Sequence, residues 1–322
     1  METDKIQQWS AAAQSLAVLD AAYERGWIAF LTEPRDVTAL ADFAGLPVDR
    51  VRVVVAVLTE IGVAASTGDE VRLTAAYAAM MAPGAPFSMA DRLADARMMR
   101  RLAGQAVAGP LPAPDAQDAL VVADAFGLRP TPVAAEVFRS LLAALPEFTE
   151  VLAGGRYLDV GCGVAGFLLS CASMYPTMHG VGVEVVATVA AEAQRRAEDI
   201  GVADRVEIRC MDARAMADTA AFGCAFWAQP FFPEAVRADT LAAIRRALEP
   251  GAPLVMQEME RPPDDPDERI AFALRGLVFS GWDVPFARSA EDLAAEAVEV
   301  GFRLDRIGES PLGRLVIVRK PA

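Results

Sequence analysis

The chain has one histidine, His179, among 322 residues. A histidine-rich metal site or a Ser–His–Asp triad would need imidazoles from that residue alone, so neither is expected and no metal is assigned. Cations are also scarce: 30 Lys and Arg against 44 Asp and Glu leave a formal net charge of −14. Nucleic-acid binding depends on cationic contacts to phosphate, so no nucleic-acid partner is expected. No stretch approaches the ~18 consecutive apolar residues of a membrane-spanning helix, so a membrane role is not expected either. The first thirty residues lack a basic segment followed by an apolar one, which argues against a secretory signal. Four cysteines, at 162, 171, 210 and 224, show no CxxC spacing and read as reduced thiols of a cytoplasmic protein.

What is present is apolar. Hydrophobic residues make up 54% of the chain, enough to offset the entropy of ordering and exclude intrinsic disorder. The length predicts two domains, placed at 1–112 and 113–322 around the Gly-, Pro- and Ala-rich stretch 104–118. In the first, an amphipathic helix over 5–25 is followed by a short helix from Thr38 to Gly45 and another from Val51 to Gly62. Two short strands then flank Ser66-Thr67-Gly68-Asp69, a hairpin turn. Helix–turn–helix plus hairpin predicts a winged helix. From Asp36 to Leu73, however, three arginines face six acids, and the second helix is valine-rich. A base-reading helix carries Arg, Asn and Gln, so dimerisation or a substrate lid is preferred to DNA binding.

The second domain contains Tyr157-Leu158-Asp159-Val160-Gly161-Cys162-Gly163-Val164-Ala165-Gly166 before a helical run. An apolar strand entering a glycine turn lets the backbone approach a ligand closely. The glycines also satisfy GxGxxG, so a dinucleotide must be weighed. Asp159 favours S-adenosylmethionine over NAD, because an acid there repels a pyrophosphate and suits a cationic amino acid group. Glu184 ends the next strand, where it can accept both ribose hydroxyls of either cofactor. Asp212 follows the strand Val206–Cys210 and can take the exocyclic amine of adenine. A terminal hairpin, Phe302–Ile307 and Arg314–Val318, closes the chain.

With these residues the whole chain resembles the small-molecule O-methyltransferase family: a winged-helix dimerisation domain followed by a class I methyltransferase domain. The resemblance implies an α/β fold with a Rossmann-like seven-stranded sheet, its last strand antiparallel, and a homodimer through the first domain. It implies S-adenosylmethionine held by Asp159, Gly161, Cys162, Gly163, Gly166, Glu184, Asp212, Ala213 and Trp227. Cys162 needs only to be small there and is given no reactivity.

The sequence departs from the family where the catalytic base should stand. Counting back from Pro233, the histidine's place holds Pro230, and His179 falls before the second strand, on an expected surface turn. A positioned base gives ~10²–10⁴-fold with a phenol, so its loss points to an acceptor that needs little deprotonation: a nitrogen, a carboxylate, an acidified phenol or an enol carbon. Gln229-Pro230-Phe231-Phe232 partly matches the Asn-Pro-Pro-Tyr/Phe motif of nitrogen-directed methyltransferases. By that match Gln229 accepts from nitrogen while Phe231 or Phe232 stacks; a loop packing two phenylalanines is the alternative. Glu258 and Asp283 match the family's flanking acids, and Phe279 and Trp282 fall where it lines its pocket. Met99 belongs to a methionine cluster that suits a flat apolar substrate or plain helical core. The expected activity is methyl transfer to a small aromatic or heteroaromatic metabolite. The alternatives are a family member that binds the cofactor but decarboxylates, hydroxylates or cyclises, and a cofactor-sensing DNA-binding regulator.

Overall fold

The computed structural model describes residues 4–322, apart from the Asp267 side chain. Two compact units divide the chain, the second beginning at Ala94.

The first unit opens with α1 (Lys5–Glu24), which buries Leu19 and Ala22 near its end. Gly26, at φ +77°, breaks that helix and redirects the chain into α2 (Trp27–Phe30). After β1 (Arg35–Asp36) comes α3 (Val37–Ala44), capped by the Asp36 carboxylate, which accepts the Thr38 and Ala39 amides. Those amides hold Asp36 below the usual carboxylate pKa. Helix α4 (Val48–Glu60) turns Val51, Val55 and Leu58 inward, and the hairpin of β2 (Ala64–Thr67) and β3 (Glu70–Leu73) follows. The two residues of β1 pair with β3 to make a three-stranded sheet; so short a strand leaves no alternation to read in a sequence. Helix α5 (Ala75–Met81) completes the unit's own elements, and α6 (Met89–Ala106) runs through the division at Leu93/Ala94. This differs from the boundary at 112/113 suggested by composition. Met98 and Leu102 of α6 pack with Leu111, Val121 and Val278, so the Gly- and Pro-rich stretch lies inside the second unit's packing.

In that unit α7 (Ala116–Phe126), α8 (Pro132–Leu142) and α9 (Pro146–Leu152) precede β4 (Arg156–Val160). Then come α10 (Gly166–Met174), β5 (His179–Glu184), α11 (Ala187–Asp199), β6 (Val206–Cys210), β7 (Cys224–Trp227), α12 (Glu234–Ala247) and β8 (Pro253–Gln257). Helices α13 (Pro266–Gly281) and α14 (Ala290–Glu299) lead to β9 (Arg303–Ser310) and β10 (Gly313–Arg319). The seven strands lie in the order β6-β5-β4-β7-β8-β10-β9, with β10 antiparallel to both neighbours. This is the sheet of a class I methyltransferase, as the resemblance implies.

Alternation divides the core between the two faces of the sheet. Leu158, Val160, Trp227, Leu254 and Met256 pack with α12 and α14 on one face. Tyr157, Phe226, Val255 and Ile317 meet the residues of α8 to α11 on the other. Strand order reverses between β4 and β7, so loops leave the carboxyl edge in opposite directions there and open a crevice. His179 opens β5, paired with Arg156 and exposed, rather than occupying a turn. Among the described residues no helix is long and apolar enough to cross a membrane, and no cluster of three or more His, Cys, Asp or Glu could hold a metal ion.

Gly166, first in α10, marks a backbone contact: a Cβ there would lie 2.1 Å from the Leu128 carbonyl oxygen. Gly166→Ala should therefore lower unfolding free energy by about 2 kcal/mol or more in urea titration, against ~0.5 or less for Gly154→Ala, where nothing lies within reach of an added methyl.

Candidate active site

The crevice is a cavity of about 610 Å3, walled by strand ends of the sheet, by α7 and by the loop after β7. Asp159, Glu184 and Asp212 stand at or just after the ends of β4, β5 and β6, and all three line it. Asp159 is 2% exposed. Burial, with the Glu184 charge adding to it, pushes its carboxyl up to about 7. Burial raises Glu184 too, against the pull of amides donated by Val186 (to Oε1, 2.8 Å) and Gly163 (to Oε2, 3.1 Å). Glu184 thus ties the glycine loop to the start of α11. No cationic side chain pairs with Asp159 or Glu184 among the described residues. Asp212 is different: it accepts from Nε and Nη2 of Arg214, which also lines the cavity, and this pairing lowers its pKa.

The loop after β4 has the backbone that the glycines predict. Gly161 and Gly163 lie at φ +71° and +56°, and both amides at 161 and 162 donate to the Val183 carbonyl. A Cβ on Gly161 would sit 2.6 Å from the Phe232 ring, so the loop touches the opposite wall. Burial raises the Cys162 thiol, consistent with a small, unreactive filler. Gly166 and Ala213 complete this side, and Trp227 ends β7 fully buried with the Arg237 guanidinium 4.8 Å from its ring centre.

Pro230, Phe231, Phe232 and Trp282 line the remainder with Phe126, Val122 and Leu111. The other residues expected near an acceptor are elsewhere. Gln229 is buried and engaged at both ends: its Nε2 donates to the Gln257 carbonyl and its Oε1 accepts from Arg237, which also bonds the Gln229 carbonyl at 2.8 Å. Arg237 is itself buried and needs these acceptors beside Glu296, so the amide faces α12 and not the cavity. Glu258 takes two bonds from Arg314 (2.7 and 2.8 Å) and the Ala290 amide at the start of α14; the Arg314 bond is the main cause of its lowered pKa. It is a buried tie between β10 and α14 outside the cavity wall. Asp283 is exposed at φ +56°, and its neighbours Trp282 and Val284, not Asp283, line the cavity. Phe279 packs behind the wall against Phe231, Trp282 and Phe286, and Met99, half-buried, packs against the α6 cluster. Missed from sequence were Arg214, two residues after a predicted acid, and Gln257, hidden in an apolar strand run.

The cavity fits a cationic nucleoside. A buried and a half-buried carboxylate, neither with a cation beside it, and a third acid on consecutive strand ends match an ammonium, ribose hydroxyls and an adenine amine. Residues 158–251 match the methyltransferase domain family. The second unit therefore carries a methyltransferase domain, whose cofactor is S-adenosylmethionine. No curated protein gives a significant sequence match to the chain.

Solved structures match over the whole length. The mitomycin 7-O-methyltransferase superposes with a TM-score of 0.72 at 21% identity, covering 98% of this chain and 97% of that one. Human N-acetylserotonin methyltransferase, solved with S-adenosylmethionine, gives 0.73 at 16% identity over 100% of both chains. An N,N-8-amino-8-demethyl-D-riboflavin dimethyltransferase from Streptomyces davawensis gives 0.64 at 20%, again over 100% of both. The chain thus has the fold of the small-molecule O-methyltransferases.

Two measurements separate binding residues from structural ones. Asp159 must ionise to hold an ammonium group, so affinity for S-adenosylhomocysteine should rise from pH 6 through about 7 and then level off, with proton release on binding at pH 6 by calorimetry. Asp159→Asn should flatten that profile and weaken binding. The same substitution should stabilise the empty protein above pH 7, because a raised acid favours folding only while protonated and that contribution is lost as pH climbs through about 7. Glu258→Gln, by contrast, should cost about 2–4 kcal/mol of stability in urea titration while S-adenosylhomocysteine affinity stays unchanged.

Proposed function

We propose that the protein transfers the methyl group of S-adenosylmethionine to a small aromatic or heteroaromatic metabolite, at a nitrogen or an already acidic oxygen. The observation that carries this reading is the division of one cavity into an acidic end and an apolar end that contains no imidazole, lysine or phenol.

At the acidic end Asp159 would hold the cofactor's ammonium, Glu184 its ribose hydroxyls and Asp212 its adenine amine, while the loop from Gly161 to Gly166 lies alongside. The bound cofactor supplies a methyl group on a strongly electrophilic sulfonium. Phe231, Phe232 and Trp282 offer flat apolar faces that would stack an aromatic acceptor and exclude water. With no base at the apolar end, the acceptor must already carry its nucleophilic lone pair, and acceleration comes from alignment and desolvation. The solved neighbours support a small-molecule substrate by name: a mitomycin, N-acetylserotonin and an amino-riboflavin. By the same likeness the first unit, with its helix pair and hairpin, serves a homodimer. The four unpaired cysteines suit a cytoplasmic setting.

The missing base also favours a second reading, in which the cofactor is kept for decarboxylation, hydroxylation or cyclisation. Incubation with methyl-labelled S-adenosylmethionine and a panel of aromatic amines, N-heteroaromatics and acidified phenols distinguishes the two by product mass. Label in a product nitrogen or acidic oxygen is expected; a transformed, unlabelled product with intact cofactor would establish the second reading.

A further inference from the structure

Gln257 is the polar side chain at the acceptor end of the cavity whose acceptor atom is left over. Of the other neutral or cationic polar groups in the wall, the Thr240 hydroxyl donates to the Val236 carbonyl at 2.8 Å, Arg214 is paired with Asp212, and the indole Nε1 donors of Trp227 and Trp282, though without partners, are buried away from the cavity surface. The Gln257 amide has one end fixed: Nε2 donates to the Leu312 carbonyl. Its main-chain carbonyl is taken by Gln229 Nε2. Side-chain Oε1 has no partner among the described residues and is not sealed from solvent.

The sheet register places this residue. Asp159, Phe226 and Val255 form one row across β4, β7 and β8, and Gln257 stands two residues beyond Val255 on the same face. It therefore lies two strand spacings, about 10 Å, from β4 and on the side away from β5 and β6. Adenine, ribose and ammonium sites run from β6 to β4, so the next position along the carboxyl edge is the acceptor's.

We infer that Gln257 Oε1 accepts a hydrogen bond from the methyl acceptor, and that the substrate class is a neutral aromatic amine. The inference rests on the cavity being an acceptor site. An amide oxygen accepts hydrogen bonds but takes no proton near neutrality. An ionised oxygen facing it is repelled. A neutral phenol bound through its O–H stays protonated and is a poor nucleophile. An N–H group donates to Oε1 and keeps its lone pair for carbon. As the N–C bond forms, the C–S pair passes to sulfur, and the N–H proton leaves afterwards to water. A ligand without a donor would leave Oε1 dry and unpaired, which is how a buried polar group rejects an analogue. Gln257 is thus a positioning and specificity-determining residue.

The test uses isosteric probes, 4-nitroaniline and 4-nitrophenol, titrated by absorbance into S-adenosylhomocysteine-loaded protein at a pH where the phenol is ionised. Wild-type protein should bind the aniline ~tenfold more tightly than the phenolate, the size of one good hydrogen bond. Gln257→Met, of similar length without the carbonyl, should lose that preference while S-adenosylhomocysteine affinity is retained; Gln257→Leu serves as a second variant. Equal or reversed preference in wild type, or aniline affinity unchanged in a folded variant, would overturn the proposal. Binding of S-adenosylhomocysteine with neither probe bound would instead reject the acceptor-site reading and the inference with it.

Discussion

An unpaired, buried carboxylate organises the second unit. Asp159 sits on β4, between two parallel neighbours in the sheet, desolvated and without a cation, and its carboxyl is driven up to about 7. Such a group is costly unless a ligand neutralises it. The rest of the cavity is arranged around that vacancy of charge: Glu184 one strand over, held by two loop amides, and Asp212 one strand further, held by its own arginine. The three acids thus range from bare to fully paired along the edge of the sheet.

The apolar end depends on a different interaction. Arg237 is buried beneath the loop after β7, where it grips the carbonyl and side chain of Gln229, Glu296, and the face of Trp227. This fixes the short turn that presents Pro230, Phe231 and Phe232 to the cavity. A guanidinium so placed acts as a scaffold for the wall, and the wall can then consist of carbon.

The sequence already shows most of this fold, because the signals are local. Strand alternation, the glycine turn and three strand-end acids depend on residues adjacent in the chain. The errors come from long-range pairing. Gln229 reads as a ligand-facing amide until Arg237, eight residues on, claims it, and Glu258 reads as a pocket acid until Arg314 arrives from the last strand. Gln257 was invisible for the opposite reason: it ends an apolar strand run, and only the neighbouring strands show which face it occupies. The domain boundary moved because flexible composition does not forbid packing, and Leu111 is held in the second unit's helical cluster.

Phe232 rests against the vacant Cβ position of Gly161. The glycine loop and the aromatic wall of the cavity are therefore keyed together by one missing methyl group. Mutations at the two positions will not act independently. A larger side chain at 161 requires a smaller one at 232, and a recontoured aromatic wall restricts what the loop can become. Reshaping the aromatic wall is therefore coupled to the glycine loop, and any such change must leave that contact intact or replace both of its sides.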